Sequence, residues 1–510
     1  MDTIRELWDK CAKDFSDLPA VRWLNKKNIE ERSYGELAEK IVTIRKGLFS
    51  NYFTGKHIAL IGTSSIEWVE SYLAITTGQN IAVPLDANLP ADEIIELLNR
   101  SDSEAVFLSP KHETLINLIK EKCSNIRKIW ILKEVEEDGK ETLADLIKNG
   151  VNSPDVIGRN ANDVATIIFT SGTTGKSKGV MLSQRNLAAN VDSVILNADP
   201  GTVMMSVLPI HHAFCLVMDW LKGFSLGSVV CINDSYLHMV RNMSIFHPNV
   251  VLMVPLMIET IYKKIASADK SIPPKVIADT VFGGNLDIIF TGGAHLDPFY
   301  IEKFAEYGVS IHEGYGMSEC SPVISSNNPE NYKDGSIGKP LPNVEIAFDN
   351  GEILVRGSSV MLGYYKMPEE TAVALKDGWL HTGDKGYIDE DGYLFINGRV
   401  KNLIIMSNGE NVSPEEIENK LALNDLAAEV IVTGENNSLT ARIYPDQEYA
   451  LAKGMDDDDV RRALQEAIDE YNQSQPTYRH VTGLVIRKNP FKRNTTGKIK
   501  RQEALIDEIA

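Results

Sequence analysis

A chain of 510 residues exceeds what one hydrophobic core serves, so it is expected to divide into at least two domains. Its 43% apolar and 24% charged content is that of a soluble globular protein. The formal net charge of −19 argues against a nucleic-acid partner, so an anionic ligand must be met by local lysines and backbone amides. The five cysteines, Cys11, Cys123, Cys215, Cys231 and Cys320, are scattered without CxxC spacing. That speaks for reduced core thiols and against a disulfide framework or a zinc site. Residues 1–6 carry no apolar signal core, and the most apolar region, 215–231, is broken by Asp219 and Lys222. A cytoplasmic protein without a membrane span is the expectation.

Strand-like and helix-like segments alternate along the first half. Residues 57–61 read as a strand, 65–77 as a helix and 81–84 as the next strand, with short apolar runs at 105–108, 165–169, 250–253 and 287–290. Such alternation predicts parallel α/β layers with ligands beyond the carboxyl ends of strands. From Gly335 the texture changes to short strands and turns, as at 351–357 and 392–396, which predicts a β-rich subdomain. A boundary near 399–402 gives an N-terminal domain over 1–400 and a C-terminal domain over 401–510. Ser413-Pro414-Glu415-Glu416 then combines a capping-box pattern with proline at the first helical position, so a helix starts there. The acids at 456–459 are read as serving the positive end of a helix over 460–471, since they lack the alternation of a calcium loop.

The run at 165–169 leads into Thr170-Ser171-Gly172-Thr173-Thr174-Gly175-Lys176-Ser177-Lys178-Gly179, the most informative stretch of the chain. Close backbone approach at glycine, hydroxyl donors and lysine charge are what a polyphosphate needs. A plain turn draws on the same residues, so the rest of the chain must decide between the two. A Walker A loop is excluded, because it needs four residues between its glycines and Gly172 and Gly175 enclose two.

Four further segments fall into order behind the loop: Gly314-Tyr315-Gly316-Met317-Ser318-Glu319, Thr382-Gly383-Asp384, Gly398-Arg399-Val400-Lys401 and Asn494-Thr495-Thr496-Gly497-Lys498. The series resembles the signature motifs of the adenylate-forming enzymes, the superfamily of acyl-CoA synthetases, nonribosomal adenylation domains and luciferases. The resemblance runs from about Tyr34 to the C-terminus, and among the branches the chain is most similar to AMP-forming fatty acyl-CoA synthetases. It implies a large N-terminal domain of layered α/β subdomains plus a β-rich subdomain, followed by a small mobile α+β domain. The implied reaction joins a carboxylic acid to ATP as acyl-AMP, releases pyrophosphate, and passes the acyl group to the thiol of CoA.

The resemblance also assigns roles. Thr170, Ser171, Gly172, Thr173, Thr174, Gly175 and Lys178 would enclose the β- and γ-phosphates, and Ser318 would bond the α-phosphate. Thr170 and Glu319 would hold Mg²⁺, a hard cation that prefers oxygen ligands. Tyr315 and Gly316 would lie against the adenine, with Gly292, Gly293 and Ala294 as the opposite wall. Asp384 would accept the ribose hydroxyls beside Arg399, and Lys498 would bridge the attacking carboxylate and the α-phosphate, where negative charge develops. The segment 208–214 resembles the family's gate, with His212 beside an acyl pocket lined by Ala213, Phe214 and Gly314. Lys401 would be the hinge, and Asn408 and Gly409 part of the tunnel for the pantetheine thiol. The adjacent pair His211-His212 also suggests zinc, but neighbouring side chains are expected to diverge and no HExxH or cysteine partner is present.

The chain departs from the family at Ser177, Ser318 and Asn402, and at Asn408-Gly409, where two glycines are frequent. The last departure questions the thiol step and keeps a second reading open, in which the acyl group goes to the phosphopantetheine of an acyl carrier protein. A third reading is a non-catalytic nucleotide-binding protein of the same fold, against which Glu319, Asp384 and Lys498 all stand. Residues 213–216 offer no aspartate for a substrate ammonium, and Ala213 stands where aryl-acid members often have asparagine. An unpaired buried polar group is costly, so an apolar acyl chain is the class that fits.

Overall fold

Runs of buried aliphatic residues form the central strands of two sheets, as expected where both faces of a parallel sheet are covered. The computed structural model describes residues 1–170, 176–269, 271–406, 410–435, 438–493 and 499–504. Met1–Ile346 with Val355–His381 forms one compact unit, and Ala347–Leu354 with Thr382–Ala510 the other.

In the larger unit a seven-stranded sheet is built around His57–Ile61, which pairs in parallel with Ile81–Leu85 on one side and Ser103–Leu108 on the other. Beyond Ile81–Leu85 lies the antiparallel pair Val164–Thr170 and Lys178–Ser183, and the short strand Gly363–Tyr364 closes that edge. A nine-stranded sheet carries Val250–Met253, Ile288–Thr291 and Ser310–Gly316 side by side, all parallel. The carboxyl ends of the latter two therefore deliver Gly292 and Gly314 to one side of the sheet. Among the described residues no helix is long and apolar enough to cross a membrane. All five cysteines are free and buried.

The smaller unit packs Pro414–Leu421 and Asp457–Gln473 on the sheet Ala427–Glu435, Ser438–Pro445 and Val481–Ile486. Val412, Ile417, Val432, Leu464 and Ile468 share its core. The α/β architecture with a smaller α+β unit is thus as expected, and two local readings need correction. Ser413 precedes its helix, but its hydroxyl donates to Glu415 Oε2 (3.0 Å) instead of forming the capping box. The second helix begins at Asp457 rather than 460, because the Asp456 carboxylate accepts from the amides of Asp458 (3.0 Å) and Asp459 (2.9 Å).

The apolar stretch near Cys215 contains a nine-residue π-helix, Phe214–Lys222, and its two charged residues are buried. Lys222 donates to the carbonyl of Val191 (3.0 Å), and burial pushes its ammonium down to about 8. Among the described residues both carboxyl oxygens of Asp219 lack a hydrogen bond, while the nearby Ser206 hydroxyl and Cys215 thiol bond each other at 3.3 Å. Burial pushes the Asp219 carboxyl up to about 7. A carboxyl with a raised folded-state pKa binds more protons folded than unfolded, so its contribution to stability falls as pH rises from about 4. Asp219→Asn removes this loss. Its melting temperature should gain on the parent progressively between about pH 4 and the folded-state value of about 7, by a few degrees, and then level off. Thermal melts across that range check the trend.

Candidate functional site

Thr170 and Lys178 face each other across the antiparallel ladder, both half-buried at its end. Ser171, Gly172, Thr173, Thr174 and Gly175 lie outside the described residues. The edge strand Gly363–Tyr364 registers Tyr364 against Val180, flanked by Tyr365 N–H to Gly179 O (2.7 Å) and Leu362 N–H to Met181 O (3.0 Å). This sets the Lys178 ammonium 4.7 Å from the centre of the Tyr364 ring. The phenol of Tyr364 donates to Glu319 Oε1 (2.8 Å). Sequence reading missed Tyr364, since a two-residue strand has no periodicity to signal it.

Ser318 and Glu319 sit on a single 3₁₀ turn that follows the strand Ser310–Gly316. Gly316 is required there, because a Cβ would lie 2.0 Å from the carbonyl of Pro322. Ser318 is half-buried and Glu319 buried, with the Glu319 carbonyl accepting from Met361 N–H (2.8 Å). The turn is clamped by the fully buried Asn190. Its amide donates to the carbonyls of Cys320 (3.3 Å) and Val323 (2.8 Å) and to Ser359 Oγ (3.1 Å), and its oxygen accepts from Val323 N–H (3.2 Å).

Gly292 follows the neighbouring strand. A Cβ on it would stand 2.8 Å from Gly314 O and 3.9 Å from the ring of Phe214. Gly292, expected at the adenine wall, thus lies beside Gly314 and the ring of Phe214, two residues expected to line the acyl pocket. Gly293 has φ +82° and, with Ala294, is exposed, while Tyr315 is buried between half-buried Gly314 and Gly316.

Phe214 opens the π-helix, and the turn before it carries the two histidines, with Ala213 buried. Their rings do not diverge as expected: their centroids are 4.8 Å apart at 39°. The tight turn bonding His212 N–H to Pro209 O (3.1 Å) accompanies this arrangement. His211 Nε2 lies 3.7 Å from Asp86 Oδ2; burial pushes its pKa below the usual value and the carboxylate opposes that shift. Among the described residues no group of three or more His, Cys, Asp or Glu could hold a metal ion.

In the smaller unit Asp384 and Arg399 are register partners across antiparallel strands, with Arg399 Nε 2.8 Å from Asp384 Oδ1. The Asp384 amide donates to Thr382 Oγ1 (3.1 Å), whose hydroxyl in turn donates to Ile353 O (2.7 Å). Asp384 is 5% exposed, so this carboxylate is preorganised on a strand rather than solvated in a loop. Lys401 is exposed, and the next residue, Asn402, donates to Glu415 Oε1 (2.5 Å). Asn408, Gly409 and Lys498 lie outside the described residues.

A family model described as AMP-binding enzyme matches residues 8–365, and one described as AMP-binding enzyme C-terminal domain matches 401–507. The chain is 28% identical over 452 residues to a long-chain-fatty-acid–CoA ligase of Mycobacterium bovis, spanning 78% of this chain and 74% of that protein. It is 29% identical over 442 residues to an oxalate–CoA ligase of Arabidopsis thaliana, spanning 82% of each. In fold it is similar to a solved anthranilate CoA ligase in complex with anthranoyl-AMP, with a TM-score of 0.86 at 19% identity over 100% of this chain and 98% of that one.

The Asn190 clamp makes a direct prediction. Asn190→Ala leaves the buried Cys320 and Val323 carbonyls without this donor, at a cost of about 1–3 kcal/mol. Urea unfolding should show a lower midpoint with an unchanged slope.

Proposed function

Because the chain belongs to the AMP-binding enzyme family and is an AMP-forming acid–thiol ligase, we propose that it activates a fatty acid to acyl-AMP and transfers the acyl group to CoA. The acid class does not follow from the relatives, one of which is named for long-chain fatty acids and another for oxalate. What supports the fatty acid is the lining beside the gate: buried Ala213, with the Phe214 ring close to Gly292. The side chains of Ala213 and Phe214 offer no partner to a second charge, whereas an alkyl chain loses nothing by leaving water.

In this reading two anions must be brought together in line, and the chain's residues neutralise and orient them. Thr170, Lys178 and the loop between them would hold the β- and γ-phosphates, and Ser318 would donate to the α-phosphate. Tyr315, Gly316 and the 292–294 turn would hold the adenine, while His212 would close the acyl side. Asp384, aligned by Arg399 and Thr382, would accept the ribose hydroxyls. Lys498 would meet the carboxylate as charge develops at the α-phosphate. Glu319 suits Mg²⁺: one oxygen takes the phenol of Tyr364, and the other carries no hydrogen bond among the described residues. Held by Glu319 and Thr170 together with substrate oxygens, the ion would supply charge neutralisation. Lys401, at the start of the 401–510 domain, is the proposed hinge that would turn Asn408 and Gly409 to the adenylate for thiol entry. A cytoplasmic location belongs to the same proposal.

The test is a panel of acids offered with CoA and, separately, with a holo acyl carrier protein, products being read by mass. Saturated fatty acids with CoA should be the best pair, with activity rising at roughly 0.8 kcal/mol per buried methylene up to a limit. Oxalate or an amino acid as the best substrate would overturn the apolar-pocket reading, and preference for the carrier protein would move the thiol assignment. Lys498→Ala should slow pyrophosphate exchange by ~10²–10³-fold while thioester formation from supplied acyl-AMP persists.

A further inference from the structure

We propose that Tyr364 is a positioning residue that keeps the carboxylate of Glu319 and the ammonium of Lys178 apart, so that both remain available to a polyphosphate and its cation. The inference rests on the reading of Glu319 and Lys178 given above. One side chain touches both charged groups with different parts of itself. Its hydroxyl donates to Glu319 Oε1 at 2.8 Å, and its ring lies under Lys178 Nζ at 4.7 Å from the centroid. A lysine and a glutamate that touch the same side chain would gain most by pairing directly in a poorly solvated site. Among the described residues they do not pair; the aromatic ring takes the cation and the phenol takes the anion.

The backbone fixes this spacer from both sides. Met361 N–H donates to the Glu319 carbonyl (2.8 Å), and Tyr365 N–H to the Gly179 carbonyl (2.7 Å), one residue beyond Lys178. Tyr364 N–H itself donates to Thr371 Oγ1 (2.9 Å), and its side chain is 6% exposed. A direct pair would spend Lys178 and Glu319 on each other. With the phenol between them, Lys178 keeps its charge for phosphate oxygens and Glu319 keeps its second oxygen for a hard cation.

Tyr364→Phe removes the donor and keeps the ring; Tyr364→Leu removes both. MgATP affinity is measured by calorimetry in these variants, in Glu319→Gln and in the double variant Tyr364→Phe/Glu319→Gln, with the KM for the acid read alongside. Tyr364→Phe should weaken MgATP binding roughly tenfold, the order of a hydrogen bond to a charged group, with the acid KM unchanged. In the Glu319→Gln background the same change should do almost nothing, because its effect passes through that carboxylate. Tyr364→Leu should lose more than Tyr364→Phe, since Lys178 can then reach Glu319. Additive losses in the double variant, equal losses in the Phe and Leu variants, or a raised acid KM in Tyr364→Phe would overturn the spacer while leaving the site reading intact. Unchanged MgATP affinity in Glu319→Gln alone would overturn both.

Discussion

The pairing of Gly363–Tyr364 with the edge of Lys178–Ser183 ties together segments far apart in the chain, and the charged groups of the site take their places from it. Lys178 leaves the ladder beside the Tyr364 ring, and the residues just before that strand bond the turn that carries Glu319. Asn190 closes the same turn from its other side. Ser318 and Glu319 are consequently set by contacts from Met361 and Asn190 as well as by their own short 3₁₀ turn, whose geometry alone would specify little.

This local construction answers the problem that an acidic chain has with anionic ligands. A net charge of −19 repels polyphosphate over most of the surface. Binding must therefore come from groups whose charge is not already neutralised at home. To the proposed site the seven-stranded sheet contributes Thr170 and Lys178, and the nine-stranded sheet contributes Gly292, Gly314 and the Ser318–Glu319 turn. Glycine at 292 and 316 lets these backbones approach within distances that any Cβ would forbid.

Much of this was legible in the sequence, and the limits have physical causes. The run 250–253 recurs as the strand Val250–Met253, and 57–61 as His57–Ile61, since buried parallel strands read as unbroken aliphatic runs. The segments 170–179 and 314–319 and Asp384 were singled out because their residue types and order match the chemistry proposed for them. Tyr364 was not, because its role depends on the register of a strand too short to leave a pattern. Ser413 misled for a related reason: the S-x-x-E signature fits a capping box, yet Glu415 draws the hydroxyl away. The His211–His212 pair misled because the fold of a tight turn, not sequence adjacency, decides whether two rings diverge or lie together.

The central claim is that this assembly brings a carboxylate against the α-phosphate of ATP. Exchange of labelled pyrophosphate into ATP, with and without a saturated fatty acid, measures that step in isolation from the thiol. The account requires exchange that depends on the acid and on Mg²⁺. Exchange that is absent with every fatty acid tested, or that proceeds equally without any acid, would contradict it.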